Sequence, residues 1–124
     1  MVIGKKIWAI AEGYIPSSST GSAPEMVSHE TACILNTSEV DAKIDVYIYF
    51  SDKEPLGPFE VVVPARRAKH LRFNDLSFPG TIPRDTDYAS VLISSEPVVV
   101  QHTRLDSRQS ENALISTIAY AGEE

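Results

Sequence analysis

The chain has 124 residues, 43% of them hydrophobic and 23% charged, with a formal net charge of −6 and a single cysteine. That length suits one domain able to bury a core without disulfide or metal staples, and one cysteine forms no internal disulfide, in keeping with a reducing, cytoplasmic setting. No apolar run approaches the roughly 18 residues of a membrane span, the N-terminal stretch is too short and too soon charged for a secretory signal, and the acidic balance disfavours nucleic acid.

In chain order the pattern is one of short strands separated by turn residues. Residues 6–12 form the first, with Trp8, Ile10 and Glu12 on one face. Residues 15–24, rich in Ser, Gly and Pro, form a long connection before a second strand at 27–35. The alternation at 43–50 is clean, with Ile44, Val46, Ile48 and Phe50 on one face and Lys43, Asp45, Tyr47 and Tyr49 on the other, which predicts a half-buried antiparallel strand. Pro55, Gly57 and Pro58 end it. Strands follow at 59–63 and 69–73. Over residues 65–72, Arg66, Arg67, Lys69 and Arg72 concentrate positive charge on an otherwise acidic protein. After a second long connection at 74–87, strands are expected at 88–94, 98–104 and 114–119, with a helical turn over 107–112. Eight short strands in one domain predict an all-β fold, two packed antiparallel sheets or a barrel.

The segment from Val98 to Asp106 is the most informative for function. Its apolar half, Val98 to Val100, lacks alternation, which predicts cover on both faces, and with the mildly apolar 113–119 it predicts a homo-oligomer. In its polar half His102, Arg104 and Asp106 share a face, about 6 to 7 Å between neighbours, a spacing suited to a small polar ligand. A metal centre on such a strand would want a second histidine where Arg104 stands. A guanidinium is no practical ligand for a metal but grips carboxylates, phosphates and hydroxyls. An ion pair from Arg104 to Asp106 or to a glutamate is the equally weighted structural reading. His29 and Cys33 would lie about 13 Å apart on a strand, too far to share a metal. Trp8 with Glu12 could hold a polar ring by stacking and acceptance, or simply be a core tryptophan with a solvent-facing carboxylate. No nucleophile elbow or phosphate loop is present.

The segments Trp8-Ala9-Ile10-Ala11-Glu12-Gly13-Tyr14-Ile15-Pro16, Ser28-His29-Glu30-Thr31, Tyr49-Phe50-Ser51-Asp52-Lys53-Glu54-Pro55, Pro64-Ala65-Arg66-Arg67, Arg72-Phe73-Asn74-Asp75-Leu76 and the run from Gln101 to Gln109 resemble the sensory rhodopsin transducer family, over nearly the whole chain. The resemblance implies a single-domain, jelly-roll-like antiparallel β-sandwich of about eight strands, assembled as a cytoplasmic homotetramer. It also implies a place in a wider group of prokaryotic β-sandwich domains associated with small molecules, sugars among them. On this reading the protein is a non-enzymatic, cofactor-free binding and signal-transducing domain. Its site would use Trp8 for stacking, Glu12 and Glu30 as acceptors, and His29, Arg67, His102 and Arg104 as donors or charge partners. The alternative is an interaction partner of a membrane photoreceptor; a DNA-associated regulator or a sugar-active enzyme built on Glu12 and Glu30 ranks lower.

Overall fold

The computed structural model describes residues 1–21, 23, 26–109, 111 and 113–123. Eight strands run in the order β1 (Lys5–Tyr14), β2 (His29–Asn36), β3 (Ala42–Tyr49), β4 (Leu56–Val63), β5 (Arg67–Arg72), β6 (Asp87–Asp106), β7 (Ala113–Ile118) and β8 (Tyr120–Ala121), with one 3-10 turn at Phe73–Asp75. All pairings are antiparallel. One layer has the order β4-β3-β6-β1-β8, the other β5-β2-β6-β7. The fold is the all-β sandwich expected. The helical turn expected over 107–112 includes residues 110 and 112, which lie outside the described residues.

The two layers share β6. Its first half pairs with β1 and β3 through residues 87–94, with Val98 still opposite Lys5 of β1, and its second half pairs with β2 and β7 through residues 99–106. The sequence pattern divides this segment at Ser95-Glu96-Pro97, but the structure keeps it as one strand of 20 residues. The reason is positional: residues 95–97 fall where β6 passes from one sheet to the other, and neither neighbouring ladder pairs with them. Proline is tolerated where no ladder bond is asked of its nitrogen. The eighth strand is instead the two-residue β8, which pairs with Trp8 and Ala9.

Period-two alternation fills the interior. Ile44, Val46 and Ile48 from β3, Phe59, Val61 and Val63 from β4, Ala32 and Ile34 from β2, and Leu92, Val98 and Val100 from β6 are all buried. Val98 and Val100 are fully enclosed, while Val99 between them faces the other way and is half-buried in the single chain. The strand alternates like the others, and β-branched side chains on both faces hide the alternation in sequence. Strand β7, by contrast, is exposed along its whole length, with Leu114 at 69%, Ile115 at 55% and Ile118 at 60%.

Candidate functional site

Glu30 is the centre of the polar cluster. It occupies an inward position of β2, in register with Ala32 and Ile34, and its side chain is 1% exposed. A carboxylate so placed must be bonded on every side or it would destabilise the fold. Three donors meet it. His102 donates through Nε2 to Oε1, Arg104 Nε donates to Oε2 at 2.6 Å, and the backbone N–H of Tyr14 donates to Oε2 at 2.9 Å.

The register explains this convergence. Arg104 lies directly across from Glu30 in the β2–β6 ladder, and His102, opposite Ala32, is the diagonal neighbour on the same face. Both are within side-chain reach of a cross-strand partner. Tyr14 arrives from β1, whose register with β6 shifts between Ile10 and Gly13. Such an irregularity re-aims a strand locally. Asn74, on the 3-10 turn, steadies the start of β2: its Oδ1 accepts from the Glu30 backbone N–H at 3.3 Å and its Nδ2 donates to the Ser28 carbonyl at 3.0 Å.

Arg104 carries the buried charge out to the surface. Its Nη2 donates to Glu12 Oε1 at 3.2 Å, and the Glu12 side chain is 72% exposed. Partial burial works against the guanidinium's charge, yet the hydrogen bonds and charges of Glu30 and Glu12 outweigh it and hold its pKa above the ordinary arginine value. Arg104 and Glu12 open onto a cavity of about 210 Å³, which Tyr14, Asp87, Asp106 and Arg108 also line. Arg108 grips Asp106 through two nitrogens, at 3.0 to 3.1 Å from Nε and 2.6 Å from Nη2, and lies 5.6 Å from the centre of the Tyr14 ring. That grip depresses the Asp106 pKa. The cavity is therefore walled by internal ion pairs, with Asp87 left as a carboxylate that no described cation pairs.

Behind this wall sits Tyr88, in edge contact with Phe73 at 6.1 Å. Burial, and then the charge of Glu30, push its hydroxyl well above the usual tyrosine range, and that hydroxyl has no hydrogen-bond partner. Gly13 makes room for it: a Cβ there would lie 2.5 Å from Cε2 of the Tyr88 ring.

Of the residues singled out from sequence, the structure brings together Glu12, Glu30, His102 and Arg104. It separates the other three. Trp8 is 5% exposed, and its Nε1 donates to the carbonyls of Lys5 and Val98, both at 2.9 Å, so it is a satisfied core residue and offers a ligand no stacking face. His29 points to the opposite side of β2 from Glu30 and its Nδ1 bonds the Val27 carbonyl at 2.7 Å. Arg67 pairs with Asn36, six residues along β2 from Glu30, which places it about 20 Å away, and its guanidinium bonds its own turn. Tyr14, Asp87 and Arg108 join the site without having been singled out. Each sits at a strand end or just beyond one, where alternation no longer says which way a side chain points.

The family model described as Anabaena sensory rhodopsin transducer matches residues 3–121. Among solved structures, the Anabaena sensory rhodopsin transducer is 60% identical, with a TM-score of 0.78, over 90% of this chain and 96% of that one. The structure described as Thermotoga maritima 1070 is 36% identical, with a TM-score of 0.86, over 97% of each chain. No curated protein matches. A family match over nearly every residue, together with 60% identity to a solved member of the same fold, places this chain in the Anabaena sensory rhodopsin transducer family.

Proposed function

We propose that the protein is a cytoplasmic, non-enzymatic signal-transducing domain whose input is a small polar molecule, a sugar or related metabolite, bound in the end cleft beside Arg104. The observation that carries this reading is the tethering of Arg104. A buried carboxylate fixes the guanidinium through Nε, while its other contact is the exposed Glu12. A pre-set donor at the mouth of a cavity of about 210 Å³, flanked by the Tyr14 ring and by carboxylate acceptors, suits a ligand rich in hydroxyls. Glu30 is 1% exposed and held by three donors, which leaves it buried and out of reach of a substrate in the cleft and argues against the paired-carboxylate enzyme.

The test is thermal denaturation with a sugar and metabolite panel. A ligand raises the melting temperature by mass action, and Arg104→Lys and Arg108→Ala each reduce the rise while the free protein still unfolds cooperatively. No shift with any compound, or a shift that both variants leave intact, removes the end cleft as the site.

A homotetramer is part of this proposal, with β7 as a contact. An edge strand with Leu114, Ile115 and Ile118 all open to water is a ready template for pairing, and a second copy would cover it. The 60% identity to a protein named as a sensory rhodopsin transducer favours a second reading of the output, in which the domain contacts a membrane photoreceptor. Co-purification with a retinal-bearing receptor encoded in the same genome tests it; a genome with no such receptor excludes it as the native role.

A further inference from the structure

Strands β4 and β5 follow one another in sequence but belong to different layers, and each is the last strand of its layer on that side. The sandwich is therefore open between two strand edges, and a groove of about 330 Å³ lies there. Buried Phe59, Leu71 and Leu76 line its floor. Val62, 46% exposed, and Phe78, 84% exposed, stand at its rim. Its lining residues are distinct from those of the end cleft.

The charges on β5 run against the pattern of the strand. Lys69 and Arg67 pair with Ile34 and Asn36, both buried, so they stand on the core-facing side of β5 together with buried Leu71. Apolar side chains belong on that side, yet two exposed cations occupy it. Lys69 Nζ donates to the Val62 carbonyl at a long 3.5 Å, which shows that this carbonyl faces the free edge of β4, and Arg67 Nη1 donates to the Arg66 carbonyl at 3.0 Å. Among the described residues no carboxylate pairs with either cation. The corner that carries them is tied down: buried Asn36 donates to the Val40 and Val63 carbonyls at 2.9 and 3.1 Å, and the Arg66 N–H donates to the Ser38 carbonyl at 3.1 Å. A lysine turned inward over a free edge guards it against stray pairing, but a guard requires neither the second cation nor the apolar rim. The other end of the groove carries Glu60 and Asp75, so its charge is graded from basic beside the β4–β5 turn to acidic beside the 3-10 turn.

We propose that this groove binds an extended segment of a partner protein as a strand added along β4, with acidic side chains toward Lys69 and Arg67 and apolar ones toward Val62 and Phe78. Main-chain bonds to a free edge supply affinity, and the side chains that flank it supply selectivity. The incoming strand releases Lys69 from the Val62 carbonyl, and its ammonium then meets a carboxylate, a stronger charge-assisted partner. Acidic residues are attracted at the Lys69 end and repelled at the end with Glu60 and Asp75, which fixes which way round a segment with one acidic end lies. This site does not depend on a ligand in the end cleft.

The probe is a dye-labelled, end-blocked hexapeptide of alternating valine and threonine that finishes in two glutamates, followed by fluorescence anisotropy. It is expected to bind with a Kd below about 1 mM, and its analogue finishing in two glutamines about 4- to 25-fold more weakly. Lys69→Gln and Arg67→Gln each lower affinity for the acidic peptide by roughly 2- to 5-fold and leave that for the glutamine peptide unchanged. Both side chains are exposed, and a retained melting temperature confirms that the variants fold. Two further acidic peptides are N-methylated, one at its odd and one at its even positions; a strand added to one edge uses the N–H groups of one side only, so one of them loses binding and the other keeps it. No binding at about 5 mM peptide, equal binding of the glutamine analogue, or equal behaviour of the two methylated peptides overturns the proposal. So does Lys69→Gln protein that self-associates in sedimentation while the peptide binds neither form, since Lys69 is then a guard of the edge and nothing more.

Discussion

Replacing Glu30 by alanine removes one side chain and leaves three donors facing each other. His102 is 9% exposed at its side chain and Arg104 21%, so neither recovers full hydration when the carboxylate is gone. Breaking a buried charge pair from one side costs about 3–5 kcal/mol, and the partial exposure of Arg104 places this case near the lower end, about 3 kcal/mol. Glu12 provides the internal control, because it bonds the same guanidinium from a side chain 72% exposed. Exposed pairs contribute about 0–1 kcal/mol, so Glu12→Ala should change stability by no more than that. Urea unfolding followed by fluorescence of Trp8, the protein's one tryptophan and a buried residue, reads both variants. With a slope of about 1–3 kcal/mol per molar, Glu30→Ala should lower the midpoint by roughly 1–3 M, while Glu12→Ala at the same slope moves it by no more than about a third as much. Equal effects of the two, or a loss below about 1 kcal/mol for Glu30→Ala, would refute the idea that burial rather than charge count makes Glu30 the keystone of the cluster.

Gly13→Ala puts a methyl group within 2.5 Å of the Tyr88 ring and should cost about 1–3 kcal/mol by the same assay, and much less when it is added to a Tyr88→Ala background; a cost below about 0.5 kcal/mol in the wild-type background would show that the strand irregularity yields freely. Asp106, its pKa depressed chiefly by the Arg108 hydrogen bond, contributes stability that is present above the unfolded carboxylate value near pH 4 and is lost as pH falls through the lower folded value. Asp106→Asn should therefore flatten the acid limb of the stability profile below about pH 4 while leaving its shape above about pH 5 unchanged, and an unaltered acid limb would count against the pair. Substituting lysine for Leu114 and Ile118 on the exposed β7 should shift the sedimenting species of the wild type to a smaller one, and a wild type that already sediments as a monomer at micromolar concentration removes β7 as a subunit contact.

The strands were legible wherever one face is buried and the other wet. Residues 43–50 are the clearest case, because four apolar residues at every second position have no comfortable helical arrangement. The boundary between 88–94 and 98–104 was misread for a reason that lies outside the local sequence: Pro97 breaks a strand only if a neighbour asks for its N–H, and whether one does depends on where β6 leaves one sheet for the other. The site was half legible for a related reason. Glu30, His102 and Arg104 are polar groups at inward positions of apolar strands, a conflict visible without coordinates. That Glu30 faces Arg104, or that Glu12 reaches Arg104 from 92 positions away, is a matter of register and layer packing. Trp8 shares its face with Ile10, which already favoured a core role, and Arg67 fell outside the cluster because sharing a sheet says nothing about sharing an end of it.

Burying Glu30 is a poor way to gain stability, since an apolar side chain of similar volume often does as well or better. What the carboxylate does supply is a fixed geometry. It holds the end of β1 through the Tyr14 N–H, the crossing strand β6 through His102 and Arg104, and it does so from β2, so three elements of both layers meet at one group. Among the described residues, a hydrogen-bonded route from that group to solvent runs through Arg104 to Glu12, and Glu12 lines the end cleft. A ligand bound in the end cleft as proposed would, by drawing Glu12 away from Arg104, alter the pairing of a guanidinium anchored in the core. In the transducing role proposed for this protein, the exposed contact is weak enough to exchange, while the buried one ties the same guanidinium to a carboxylate that also holds β1 and β6.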